Sequence, residues 1–216
     1  MGLTSQSTGT RILAQELKIV RTTPHERVIT LTGNPNVGKS TVFNNLTGLK
    51  QHTGNWPGKT VTNAQGKCKH KDRDFIFVDL PGTYSLMANS VEEEVARDFI
   101  CFGNPDATVI VTDATCLERN LNLVLQTLEI TQNVVVCVNL IDEAKRKKIY
   151  IDVNGLSNRL GVPVVGTNAR SNKGRKELMD AVYNITEKKV VTNPIKLKYN
   201  NLIEEAIQMI EPYIKG

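Results

Sequence analysis

The sequence predicts an α/β fold, a mostly parallel sheet with helices on both faces, followed by a small helical piece at the C-terminus. Three observations predict it. Short aliphatic runs alternate with stretches of helical periodicity along most of the chain, the rhythm of strand–helix–strand units. The runs are near-continuous rather than alternating, as in strands buried on both faces. The first of them leads into a glycine-rich loop that opens a helix, a strand–loop–helix setting with a chemistry of its own.

The elements follow in order. Residues 1–26 are rich in Thr, Ser and Gln around one apolar stretch, Ile12 to Val20, and read as a loosely held leader. Val28 to Leu31 is the first strand, and the helix after it runs from about Lys39 to Leu46. Gly54-Asn55-Trp56-Pro57-Gly58-Lys59-Thr60 has the glycines and proline of a loop. Phe75 to Val78 is the second strand. Val91 to Phe102 is a helix with Glu92, Glu93 and Glu94 at its positive end. Thr108 to Val111 is the third strand; Leu117, Leu121, Val124, Leu125 and Leu128 then trace one face of a helix. Val134 to Val138 and Val162 to Val165 complete the strands, and Glu177 to Glu187 reads as a helix. After Asn193-Pro194, the helical stretch Leu202 to Ile210 falls outside this rhythm. The expected organisation is therefore a leader at 1–26, a main domain at 27–188 and a helical appendage at 189–216, unless that helical part already begins near 170.

Composition narrows the class. With 216 residues, 40% of them hydrophobic and only 5% aromatic, the chain has enough aliphatic material for one sizeable core. Lys and Arg total 27 against 22 Asp and Glu, a formal charge of +5 that suits polyphosphates, acidic partners or an anionic membrane face. The four cysteines, Cys68, Cys101, Cys116 and Cys137, form no CxxC pair and have no His at metal-ligand spacing, so they read as buried thiols in a reducing cytosol. The longest aliphatic run, Val134 to Val138, is strand-sized, far short of the roughly 18–20 apolar residues of a membrane span. The expected location is cytoplasmic.

Four motifs carry chemistry. Gly33-Asn34-Pro35-Asn36-Val37-Gly38-Lys39-Ser40, with Thr41 next, matches G-x-x-x-x-G-K-S. Glycines let successive N–H groups turn onto phosphate oxygens, the helix aims its positive end at the same place, Lys39 reaches the outer phosphates and the Ser40 hydroxyl is a Mg²⁺ ligand. Asp79-Leu80-Pro81-Gly82 ends the second strand, 40 positions after Lys39. An Asp there is placed to hold Mg²⁺ through water, and the Gly82 N–H to bond a terminal phosphate oxygen. Thr60 offers a second hydroxyl to the metal when the third phosphate is bound. Trp56, the only Trp, is expected to brace its loop over the nucleotide.

Asn139-Leu140-Ile141-Asp142 follows the fourth strand as N-x-x-D. The Asp142 carboxylate is matched to guanine N1–H and its 2-amino group, whereas adenine meets it with a lone pair. Asn139 keeps its hydrogen-bonding role, and Leu140 stands where the common motif has Lys. Thr167-Asn168-Ala169 follows the fifth strand, with the Ala169 N–H directed at guanine O6. For hydrolysis, Thr83 occupies the place where many switches carry a water-orienting Gln. Thr83 is short, so either turnover is slow or another charge assists. Asn36, with backbone carbonyls of the Gly54–Trp56 loop, is suited to a monovalent cation that would act like an arginine finger. The catalytic set expected from the residues is Asn36, Lys39, Thr60, Gly82 and Thr83.

The set G-N-P-N-V-G-K-S-T, G-N-W-P-G-K-T-V, D-L-P-G-T-Y-S-L and N-L-I-D resembles the cytosolic GTPase domain of the ferrous-iron transport protein FeoB family, from about Arg27 to the C-terminus. The resemblance implies a Ras-like P-loop NTPase domain followed by a small helical domain that affects nucleotide release. It implies slow GTP hydrolysis with Mg²⁺, and an activating K⁺ held by Asn36 and the carbonyls of Gly54 and Trp56. It also implies regulation of ferrous iron uptake at the cytoplasmic face of the bacterial inner membrane. An apolar residue at Leu140 and the lack of Gln at Thr83 both fit the family. Its transporters continue into a large membrane domain that this sequence does not contain. The expected partners are GTP and GDP, a membrane transporter domain in the same or another chain, and a second copy in a homo-oligomer; no nucleic acid is expected.

Three alternatives stand beside this reading. One is a free-standing switch that binds nucleotide and barely turns over. Another is a ribosome-associated GTPase, although the last 30 residues show no RNA-binding module. The third is a nucleotide kinase, which N-x-x-D and D-x-P-G disfavour. His25, His52 and His70 read as surface or packing residues, and Lys145-Arg146-Lys147-Lys148 as a solvated helix face.

Overall fold

The computed structural model describes residues 19, 21–48, 51–56 and 60–214. The expected α/β architecture is found, with the helices divided between the two faces of one sheet. Strands β1 (Glu26–Gly33), β2 (Gln51–Asn55), β3 (Thr62–His70), β4 (Arg73–Asp79), β5 (Ala107–Asp113), β6 (Val134–Asn139) and β7 (Val164–Gly166) form a seven-stranded sheet in the order β2-β3-β4-β1-β5-β6-β7. The β1–β4, β1–β5, β5–β6 and β6–β7 pairings are parallel. The β2–β3 and β3–β4 pairings are antiparallel.

Side-chain alternation splits each aliphatic run between two cores. Along β6, Val134, Val136 and Val138 face one side and Val135 and Cys137 the other. The first side is covered by α2 (Val91–Phe102) and α3 (Leu117–Ile130), through Val95, Phe99, Leu123 and Val124. The second is covered by α1 (Lys39–Thr47) and α6 (Arg175–Thr186), through Phe43, Leu46, Leu178 and Val182. Two shorter helices, α4 (Ile141–Arg146) and α5 (Val153–Leu160), flank β7, and α7 (Asn201–Ile214) closes the described chain. Ser90 caps α2 by accepting from the Glu93 N–H, and three glutamates sit in its first turn, as a positive helix end favours.

The structure corrects several expectations. Gly54 and Asn55 are not loop: they pair with Asn63 and Thr62 in the antiparallel edge strand β2. Its partner β3 reads as polar and was invisible as a strand, because its backbone pairing with β4, not an apolar face, fixes it. The last strand is shorter than expected and excludes Val162, which is buried just before it. Only Cys137 is fully buried; Cys101 and Cys116 are exposed and Cys68 is intermediate, all four being free thiols. Cys137 lies in a dry core that pushes its thiol up to about 12.

Of the leader's apolar stretch, Ile12 to Val20, all but Ile19 lies outside the described residues; Ile19 packs against the α2/α3 core. The chain then joins the sheet through Glu26, whose carboxylate receives Lys67 Nζ at 2.7 Å and the N–H groups of Thr22 and Thr23. The Lys67 contact, first among these, holds the Glu26 carboxyl at about 2. The run Lys145 to Lys148 is solvent-exposed, as expected. No helix among the described residues is long and apolar enough to cross a membrane.

Candidate nucleotide site

Because β1, β4, β5, β6 and β7 run parallel, their carboxyl ends place Gly33, Asp79, Asp113, Asn139 and Gly166 along one edge of the sheet. Ligands of open α/β sheets bind at that edge. Gly33 ends β1 so close to β5 that a Cβ there would stand 2.4 Å from the Val111 carbonyl oxygen. The chain then turns through Asn36 (φ 66°) and Gly38 (φ 84°), both left-handed, into α1. A Cβ on Gly38 would meet Asn139 Nδ2 at 2.5 Å, so conformation and space both require glycine there. No side chain caps the N-terminus of α1, which leaves its first N–H groups directed into the loop. Asn36 and Ser40 are exposed, Lys39, Thr41 and Pro35 are half-buried, and Val37 is buried in the α1/α6 core.

Across the loop, Lys39 Nζ touches Asp79 Oδ1. The ammonium expected at the phosphates and the carboxylate expected to hold the metal thus share one small space, both mostly shielded from solvent. Burial pushes the Asp79 carboxyl above its ordinary value, with Lys39 opposing the shift. Gly82 lies against the loop, 3.3 Å separating Pro35 Cα from where a Gly82 Cβ would stand. Thr83 departs from expectation. It is buried, its N–H donates to the Gly33 carbonyl at 3.1 Å, and its hydroxyl donates to the Ser85 carbonyl at 2.6 Å. A hydroxyl engaged in this local turn is not presented to a water at the phosphate end.

At the base end, Asn139 is 1% exposed and takes a role that spacing did not reveal. Its Nδ2 donates to the Val37 carbonyl at 3.0 Å; its Oδ1 accepts from the Ala169 N–H at 3.1 Å and the Thr167 hydroxyl at 3.2 Å. One side chain therefore ties the phosphate loop to the 167–169 loop. The Ala169 N–H expected at guanine O6 is committed to Asn139 instead. Asn45 of α1 donates to the Ala169 carbonyl, adding a second tie. Asn168 forms a two-residue bridge with Lys173, which shapes the same loop. Leu140 adopts φ 63°, a strained conformation for a non-glycine residue, and so swings Asp142 into the first turn of α4. Asp142 Oδ1 is buried with no hydrogen-bond partner among the described residues. Both amide atoms of Asn34, inside the phosphate loop, are in the same state. Orphaned polar atoms at these two places are positioned to meet a ligand or water; Thr30, Thr32, Trp56, Asn63, Arg73 and Thr108 carry buried atoms of the same kind elsewhere.

The 51–60 segment stands apart. Edge strand β2 is separated from β1 by β3 and β4, roughly 14 Å at ~4.8 Å per strand. Trp56 does not cover the site: it is 2% exposed, its backbone N–H donates to the Val61 carbonyl at 2.9 Å, and its ring meets Phe99 edge-on at 5.1 Å. In this conformation Gly54 lies in edge strand β2 and Trp56 in the α2/α3 core. Thr60 is exposed beyond β2, at the sheet end that carries Asp79. Pro57, Gly58 and Lys59 lie outside the described residues.

Fold and site together define a P-loop nucleotide-binding domain of the Ras-like α/β class. The family model for ferrous iron transport protein B, N-terminal part, matches residues 27–182, and the chain belongs to that family. The FeoB transporter of Salmonella typhimurium is 44% identical over 158 residues, 71% of this chain and 20% of its own length. A Fe(2+) transport protein A/FeoB fusion protein of Porphyromonas gingivalis is 38% identical over 199 residues, 91% of this chain and 24% of its own. The chain thus spans about a quarter or less of these relatives. Among solved structures, the cytosolic domain of the T. maritima FeoB iron transporter in a GDP form matches with a TM-score of 0.84 at 37% identity, over 88% of this chain and 75% of that one. An S. thermophilus NFeoB variant bound to GDP matches with a TM-score of 0.76 at 40% identity, over 86% and 71%.

Proposed function

We propose that this chain binds GTP and GDP and slowly hydrolyses GTP, as the nucleotide-responsive part of ferrous iron uptake at the cytoplasmic face of the bacterial inner membrane. The observation that carries the reading is Asp142. Beyond the end of β6, two strands from the phosphate loop, a carboxylate oxygen of Asp142 is buried without a partner among the described residues, and Asn139 ties the same strand end to the loop. Such an acceptor pairs with guanine N1–H and its 2-amino group and repels adenine N1. The iron-uptake role rests on the relatives, whose names specify Fe(2+) transport and of whose length this chain covers a quarter or less.

The chain's own residues divide the work. The backbone of Gly33–Ser40 and the α1 N-terminus cradle the phosphates, Lys39 moves from Asp79 to the outer phosphates, and Gly82 offers its N–H to the third. Ser40, Asp79 through water, and Thr60 are the residues that would hold Mg²⁺, which when bound neutralises charge developing on the phosphates. Asn36 is exposed on the phosphate loop, where a K⁺ ligand is proposed. Gly54, in strand β2, and Trp56, just beyond it, are the residues whose carbonyls are proposed to complete its shell, and no step is assigned to that ion.

Phosphate release from GTP and from ATP, with Mg²⁺ and with K⁺ or Na⁺, tests the proposal. GTP alone is hydrolysed, faster in K⁺, and Asn36→Ala keeps nucleotide binding while losing the K⁺ gain. Equal hydrolysis of ATP contradicts it. Negligible rates in both cations favour the free-standing switch, a reading that the engaged Thr83 hydroxyl supports.

A further inference from the structure

The structure assigns Arg119, Asn122 and Gln126 of α3 a positioning role: they latch the segment after Gly82 and so set how the site weighs a nucleoside triphosphate against a diphosphate. This rests on the guanine-nucleotide reading above and adds a control to it. The three residues recur at i, i+3 and i+7 and therefore share one stripe of the helix. The stripe is distinct from the buried one, Leu123, Val124, Thr127 and Leu128, that packs α3 on the sheet.

Each member grips the same short segment. Gln126 Oε1 accepts from the buried Leu86 N–H at 2.8 Å. Asn122 Nδ2 donates to the Tyr84 carbonyl at 3.4 Å. The Arg119 guanidinium stands 4.4 Å from the centroid of the Tyr84 ring, a cation–π distance. On the opposite side, the segment is tied to the phosphate loop by the Thr83 N–H on the Gly33 carbonyl and by Gly82 against Pro35. Residues 82–86 are thus clamped between α3 and the first turn of the loop.

The clamp bears on one phosphate only. The first two phosphates are held by the Gly33–Ser40 backbone, which makes no contact with Arg119, Asn122 or Gln126 through these bonds. On this assignment the third phosphate takes the Gly82 N–H and draws residues 82–86 with it, so that Thr83 exchanges its bond to the Gly33 carbonyl. The latch therefore stabilises the conformation that suits a diphosphate. A ligand shifts such an equilibrium only by its differential affinity, so weakening the latch lowers the cost of binding a triphosphate and leaves the diphosphate unaffected.

The test is the affinity of fluorescent GDP and of a non-hydrolysable fluorescent GTP analogue, with Mg²⁺, for the parent chain, for Arg119→Ala/Gln126→Ala and for Gln126→Glu. The double variant is expected to bind the GTP analogue about fivefold more tightly, about 1 kcal/mol, with GDP affinity within about twofold of the parent. Gln126→Glu, which retains Arg119 and whose carboxylate still accepts from the Leu86 N–H, keeps the parent's ratio. An unchanged ratio, an equal change for both nucleotides, or Gln126→Glu behaving like the double variant overturns the latch. Arg119→Ala alone, at an exposed position, keeps the test open should the double variant fold poorly, and must shift the ratio in the same direction. A parent chain that binds neither nucleotide fails at the earlier step, and the latch falls with it.

Discussion

The two halves of the candidate site are built differently. The half formed by the ends of β1, β6 and β7 is interlocked by hydrogen bonds that span long stretches of sequence: buried ones join Asn139 to Val37, Thr167 and Ala169, and a part-buried one joins Asn45 to Ala169. The half formed by residues 51–56, 60 and 82–88 is attached by contacts that can be exchanged. These are an edge strand, one aromatic anchor at Trp56 and the polar stripe of α3. The difference teaches where information enters. On the proposed function, groups that would serve a di- and a triphosphate alike are held in place by the fold, and groups proposed to respond to the third phosphate are clamped reversibly.

The comparison predicts that the two anchors fail differently. Removing the Trp56 ring from the α2/α3 core by Trp56→Ala should lower unfolding free energy by about 3–5 kcal/mol, the usual cost of deleting a large buried aromatic. Urea unfolding measures it, and GDP affinity of the folded fraction should stay within about threefold. Asn139→Ala should do the reverse in emphasis. Three buried hydrogen bonds disappear from the preformed half, and GDP affinity should fall by about 2–4 kcal/mol, roughly 30- to 1,000-fold by calorimetric titration. Should Trp56→Ala abolish GDP binding, or Asn139→Ala spare it, the division between the halves is wrong.

The division also explains what was legible in the sequence. The strands β1, β4, β5 and β6 stand out as aliphatic runs because both faces are buried, and α2 and α3 show their apolar stripes. The hairpin β2–β3 does not. Its residues are largely polar, and its place depends on pairing with β4 and on Gly66, where any Cβ would stand 2.5 Å from Thr47 Cγ2 under the end of α1. The short helix α5 carries Gly155 in its first turn, which weakens its signal.

At the site, residue types were legible and their engagements were not. G-x-x-x-x-G-K-S, D-x-P-G and N-x-x-D mark which side chains gather at the sheet edge. That Asn139 bonds Val37, 102 positions away, and so claims the Ala169 N–H, is a fact of tertiary packing. The Thr83 turn to Ser85 is local, and a Thr two residues before a Ser in a tight turn is a signal for it. The spacing of Arg119, Asn122 and Gln126 was likewise present in the sequence, but nothing there showed what they hold.

The central claim is that Asp142 selects the base, and exchanging its acceptor for a donor tests it most directly. Asp142→Asn presents an amide that suits the 2-oxo group of xanthine instead of the 2-amino group of guanine. Dissociation constants for GDP, ADP and xanthosine diphosphate, measured with Mg²⁺ on the parent and on Asp142→Asn, should show guanine preferred by at least about a hundredfold in the parent and xanthine preferred in the variant. Equal affinity for GDP and ADP in the parent, or an unaltered guanine preference in Asp142→Asn, would contradict it.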